Sequence, residues 1–273
     1  MIPSFPRPRP IVPRPFPVPT TKRPLKGKPM TLVAGFRCSD GGILLCADRE
    51  ESGDGTKRSI NKLREWKGKN ATFLFGASGT SAIIANLYTR LEVALAENEQ
   101  DLQTSHVKVI GDVLRSIHKD FEEFDEWPEM VIAASFYQDI ATPLTSFLYG
   151  TVGSVLEPVA HYTCKGFGKD LGRYFFQRLF DFWPQRRQAV IMATFVFREA
   201  EDHLDGVGRG TDMMYLATQQ RTVWTVPYEK HISDLEGRIP SLKDTLAQGW
   251  DLAIEIPYWL EQSIYDGEKP MPK

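Results

Sequence analysis

The chain has 273 residues, 42% of them apolar and 25% charged, a composition that can bury a full core and that suits a soluble globular protein. No apolar run approaches the roughly 20 residues of a membrane span, so no membrane contact is expected. The net charge of −2 is uneven: residues 1–29 carry seven Lys/Arg and no acid, leaving 26 basic against 35 acidic side chains beyond them, and an acidic body argues against a nucleic-acid partner.

In chain order, residues 1–29 hold ten prolines, which fix φ and remove donors, so an extended, unpacked segment is expected. It reads as a propeptide, a ligand for a proline-binding module, a disordered leader, or an upstream extension that is not translated. From residue 31 the pattern changes to a single folded unit over 30–273, with a core at 31–226 and an extension at 227–273. TLVAGF and GILLCAD read as a hairpin across CSDGG, EESGDGTKRSIN as a polar loop, and KLREW with ATFLFGA as a second hairpin across KGKN. Apolar spacing of three and four predicts helices over 81–97 and 105–124. Strands MVIAASF, SFLYGTVG and LEPVAHYTC follow, then helices over 169–180 and 186–202, then strands TDMMYLA and TVWTVP. Runs of strands and helices segregated in this way indicate an α+β fold, and helices that must each cover a sheet make it a four-layer αββα sandwich.

The five His are scattered without ligand spacing, so no metal is expected, and no other cofactor either. The three cysteines, Cys38, Cys46 and Cys164, are few and odd in number and lie in apolar runs. They read as buried thiols in a reducing, cytoplasmic setting.

The chemistry concentrates in residues 31–62. Thr31 opens the first strand, Asp48 closes the second, and Lys62 begins KLREW. A hydroxyl needs a base to attack a carbonyl, and a Thr at a chain terminus carries one in its own α-amine. That amine, with a pKa near about 8 in free chains, is partly neutral at pH 7. A neighbouring ammonium favours its neutral form, and a carboxylate holds the lysine in place. Each residue also has a plain reading: Thr31 as a strand residue, Asp48 as a strand end, Lys62 as an edge charge. Gly76 and Gly79 likewise read as a turn, with Ser78 or Thr80 capping the next helix.

These motifs together resemble the proteasome-type N-terminal nucleophile hydrolases, which include proteasome β-subunits and the HslV peptidase. TLVAGFRCSDGGILLCADRE resembles the β-subunit opening, KLREW the lysine segment, and FLFGASG the strand whose glycine amide binds the oxyanion. GFGKDLGRYFFQRLF and DGVGRGTDMMYL resemble the later helix and the loop beyond it. The resemblance implies Thr31 as nucleophile, Lys62 as its lysine, Asp48 as the anchor of that lysine, Gly76 as oxyanion donor and Asp205 as support for the terminal amine. It implies Leu74 and Ser78 as the lining of an apolar side-chain pocket. It further implies peptide or unfolded-protein substrates and a homo-oligomeric ring, with an ATPase unfoldase as a further candidate partner.

The sequence departs from that pattern at two serines: Phe167 stands where the GSGS-like loop has one, adding bulk near the amine, and Gly208 replaces another. The register from Thr31 to Asp48 needs one inserted residue, with Gly41 and Gly42 a plausible place. Pro29 and Met30 precede Thr31, a poor self-cleavage site, whereas a start at Met30 would expose Thr31 by ordinary Met removal. Three functions follow: a threonine peptidase, a silent proteasome-like scaffold, and an amidase acting on small molecules.

Overall fold

The computed structural model describes residues 31–53, 56–123, 127–137, 143–179, 183–204, 206–217, 222–226 and 232. The proline-rich leader, Asp205 and all of the C-terminal extension except Ile232 lie outside these residues.

The elements run β1 (Leu32–Arg37), β2 (Ile43–Asp48), β3 (Glu50–Gly53), β4 (Thr56–Ser59), β5 (Leu63–Lys67), β6 (Ala71–Ser78), α1 (Ser81–Glu97) and α2 (Leu102–Asp120). They continue with β7 (Glu129–Tyr137), β8 (Pro143–Val152), β9 (Val155–Pro158), β10 (Tyr162–Gly166), α3 (Lys169–Leu179), α4 (Arg186–His203), β11 (Thr211–Ala217) and β12 (Thr222–Val226). One five-stranded sheet has the order β10-β1-β2-β11-β12 and the other β5-β6-β7-β8-β9, all pairs antiparallel.

The period-2 alternation of a strand sorts its side chains into layers. In β1 and β2, Leu32, Ala34, Phe36, Leu44 and Cys46 face a core shared with α3 and α4, while Val33, Ile43, Leu45 and Ala47 face the other sheet. In β6 and β7, Phe73, Phe75, Ile132 and Phe136 face α1 and α2, while Leu74, Val131 and Ala133 meet the first sheet. Strands buried on both faces read as unbroken apolar runs rather than alternating ones. The result is the expected αββα sandwich. The sheets pack closely at Gly35, where an added Cβ would lie 2.6 Å from Val131 and 2.8 Å from Leu148. No described helix is long and apolar enough to cross a membrane.

Several elements differ from expectation. The polar segment after Asp48 forms a two-stranded ribbon, β3 and β4, instead of a loop. LEPVAHYTC is not one strand: β9 ends at Pro158, with Val159 N–H still donating to the Leu148 carbonyl of β8 at 2.8 Å, and β10 starts afresh as an edge of the first sheet. Helix α2 begins earlier than expected because the Asp101 carbonyl already accepts from Thr104 N and Ser105 N at 3.0 and 2.9 Å. It ends at Asp120, short of the predicted 124, and its Val107 is 43% exposed rather than facing the core.

Candidate active site

Three strand ends converge at one edge of the two sheets. Leu32 N–H donates to Asp48 Oδ1 at 2.8 Å, and Glu50 N–H donates to Asp48 Oδ2 at 3.2 Å, so the carboxylate is held by the backbone on both sides. Lys62 immediately precedes β5, and its backbone carbonyl accepts from the Tyr88 hydroxyl of α1 at 2.8 Å. Its Nζ donates to both Asp48 oxygens at 3.0 Å, to the Glu50 carbonyl at 2.5 Å and to Thr31 Oγ1 at 3.0 Å. Thr31, Asp48, Glu50 and Lys62 are all buried. An ammonium removed from water needs its donors filled, and here they are.

Burial pushes the Asp48 carboxyl up to about 6, against the pull of the Lys62 ammonium and the backbone donors of Leu32 and Gly208. The carboxylate is therefore mostly ionised at neutral pH and forms a buried ion pair with Lys62. Because Lys62 donates to Thr31 Oγ1, the hydroxyl proton of Thr31 is free to point elsewhere.

A glycine-rich turn between β10 and α3 covers Thr31 from above. Gly166 has φ +92, a left-handed conformation, and an added Cβ would lie 2.2 Å from the Thr31 carbonyl and 2.6 Å from Ser78 Oγ. Gly168 N–H donates to the same Thr31 carbonyl at 3.4 Å. Phe167, between them, is 41% exposed. Gly208 sits in the loop before β11, where its carbonyl accepts from Arg49 N–H at 3.1 Å. A side chain there would meet Glu201 at 2.9 Å.

Of the residues expected at the site, Lys62 contacts both Thr31 and Asp48. Ser78 lies at the end of β6, beside Gly166 and Thr31. Gly76 lies deeper, paired with Leu63 on one side and Val131 on the other, and its missing side chain makes room for Val33. Leu74 is fully buried between the sheets with Val33, Leu45 and Val131, where a substrate side chain could enter only by displacing it. That argues against Leu74 as pocket lining. Asp205 lies outside the described residues. Among the described residues no cluster of His, Cys, Asp or Glu is arranged to hold a metal.

Sequence reasoning missed Tyr88, Glu129 and Gly166. Tyr88 follows Leu87 of the predicted apolar stripe, and Glu129 is a lone charge at the start of an apolar strand. Gly166 opens GFGK, which drew attention for its Phe.

No family model matches the chain, and no curated protein matches its sequence. Solved structures match its fold. Anbu, described as an ancestral β-subunit, from Yersinia bercovieri has a TM-score of 0.65 at 15% identity, covering 80% of this chain and 97% of its own. A Gly-1 mutant of Anbu from Hyphomicrobium sp. strain MC1 has a TM-score of 0.63 at 15% identity, covering 83% and 99%. The Anbu complex of Pseudomonas aeruginosa, solved as a helical assembly, has a TM-score of 0.60 at 13% identity, covering 80% and 96%. The motif resemblance to the proteasome-type N-terminal nucleophile hydrolases is corrected by this result: the matching folds are Anbu proteins, which are proteasome-like but distinct from that family. At 13–15% identity the likeness establishes the fold alone.

Proposed function

We propose that the chain is a threonine-type peptidase whose nucleophile is Thr31, freed as a terminus by removal of residues 1–30. The observation that carries this reading is the Lys62 ammonium, which donates to the Asp48 carboxylate and to Thr31 Oγ1 at the same 3.0 Å. A lysine so engaged is already protonated and cannot take the Thr31 proton, so the base falls to the α-amine that a free Thr31 would carry. The amine takes the Oγ proton as Oγ bonds to the substrate carbonyl carbon. The C–N bond then breaks, with the proton passing to the departing amine. Water next hydrolyses the resulting ester and regenerates Thr31.

Gly76 was the expected oxyanion donor, but its position between two ladder partners favours the exit of β6 instead. Among the described residues Ser78 there has a ladder partner, Glu129, on one side only, and we assign the oxyanion contact to the backbone of Ser78 and Gly79. Asp205 keeps its proposed role beside the amine. Because the fold is shared with proteins that assemble, we further propose that like subunits associate around peptide or unfolded-protein substrates.

The test is a chain engineered to begin at Thr31, its mass verified, assayed on a panel of short fluorogenic peptides. Hydrolysis that disappears in Thr31→Ala and in a chain retaining residues 1–30 is the expected result. Equal hydrolysis by Thr31→Ala overturns the proposal. A second reading, a silent structural subunit, draws on Phe167 and Gly208 at positions where serines were expected. It gains if the chain beginning at Thr31 assembles but turns over no peptide.

A further inference from the structure

The turn that covers Thr31 has weak anchors of its own: Gly168 N–H reaches the Thr31 carbonyl only at 3.4 Å. Its strong anchor comes from the opposite sheet. Glu129, the first residue of β7, accepts the Gly166 N–H on Oε2 at 2.7 Å and the Lys169 ammonium on Oε1 at 2.9 Å. One carboxylate thus grips the last residue of β10 and the first of α3, the two ends of the turn. The geometry follows from the topology. Among the described residues strand β10 is an edge paired only with β1, so on its outer side an N–H there has no ladder partner and is satisfied by something else. Glu129 stands opposite Ser78 in the β6–β7 register, which brings its carboxylate to the same strand end as Thr31. Buried Lys165, next to Gly166, lies near the same carboxylate and donates to the Thr151 carbonyl at 2.6 Å.

We propose that Glu129 is a positioning residue that pins the 166–168 turn over Thr31 and so sets the orientation of the nucleophile and of the Ser78 end of β6. This deepens the threonine-peptidase reading and rests on it. Both Glu129 oxygens are occupied within the protein, so it acts through Gly166 and Lys169 without touching substrate. The Lys169 pair is partly exposed and contributes little by itself. The charge-assisted bond to the Gly166 N–H is the stronger part.

The experiment uses the chain beginning at Thr31 and the variants Glu129→Gln and Lys169→Met. Three quantities are read: kcat and KM separately, amide hydrogen exchange of the segment holding the turn, and the melting temperature. For Glu129→Gln, exchange at the turn is expected to accelerate and kcat to fall about ten- to a hundredfold, with KM within about twofold, because misplacement rather than lost binding is the defect. Lys169→Met retains the Gly166 bond and is expected to lose only about threefold, giving a second reading should Glu129→Gln not fold. Unchanged exchange, or faster exchange with full kcat, overturns the assignment. So does a loss confined to KM. A parent chain no more active than Thr31→Ala sinks the peptidase reading and this assignment with it, whereas an active parent with an unaffected Glu129→Gln sinks this assignment alone.

Discussion

Gly166→Ala gives the most direct measure of how closely the turn packs on Thr31. The new Cβ would lie 2.2 Å from the Thr31 carbonyl oxygen, where ordinary contact begins at 3.4 Å, so backbone must move by about an ångström. Neither partner yields easily, because Thr31 leads directly into β1 and Gly166 is held by Glu129. A non-glycine residue at φ +92 adds strain of about 1–3 kcal/mol, and overpacking adds a similar amount, for a loss of about 2–6 kcal/mol. In a domain of this size that lowers the melting temperature by roughly 5–15 °C. A shift of that size at the proposed nucleophile is expected to cost about a hundredfold in kcat. The control is Gly150→Ala, whose Cβ would press on Lys165 Cε at 2.8 Å and Thr163 Oγ1 at 3.0 Å, with the backbone outside the left-handed region. It should lose about 1–3 kcal/mol of stability but retain most turnover. Differential scanning fluorimetry and steady-state assays read both variants. Wild-type kcat in Gly166→Ala, or an equal kcat loss in Gly150→Ala, refutes the packing argument.

Turnover should also fall with acid. With the Asp48 carboxyl raised to about 6, protonation removes the partner of Lys62, so kcat/KM is expected to drop about tenfold between pH 7 and pH 5 with a midpoint near 6. The stability contribution of the same group has the opposite sign. Its folded pKa lies above the ordinary 3.8, so its contribution is fully present below that value and is lost as pH rises through about 6. Acid inactivation near pH 6 with an undiminished melting temperature is the expected pair of results, and a flat profile from pH 5 to 7 counts against it. Lys62→Met strands a buried carboxylate and should cost about 3–5 kcal/mol along with all turnover. Adding Asp48→Asn should restore much of that stability but no activity, and a double-mutant cycle by chemical denaturation measures the coupling.

Most of the architecture was legible in local periodicity. Helix α1 spans the residues its apolar spacing predicted, and strands such as β6 and β7 show as uninterrupted apolar runs because both their faces are buried. The αββα arrangement followed from the order of those segments, since each helix pair needs a sheet to cover and two sheets then need each other. Thr31, Asp48 and Lys62 could be singled out because each is a polar residue at a boundary between a strand and a turn, although the fold buries all three.

What local pattern could not carry is anything set by pairing across distance. LEPVAHYTC is as apolar as a single strand, yet its two halves belong to different sheets, a division decided by which edges remained open. Leu74 and Ser78 share one face of β6 by alternation, but depth separates them: one lies in the interior between the sheets and the other at the strand end. Glu129 and Gly166 are 37 residues apart, and no spacing rule joins them. Their contact exists because an edge strand leaves its outer amides unpaired and the β6–β7 register delivers a carboxylate to that edge. Short-range periodicity is encoded residue by residue, whereas register and edge exposure arise only when the two sheets close on one another.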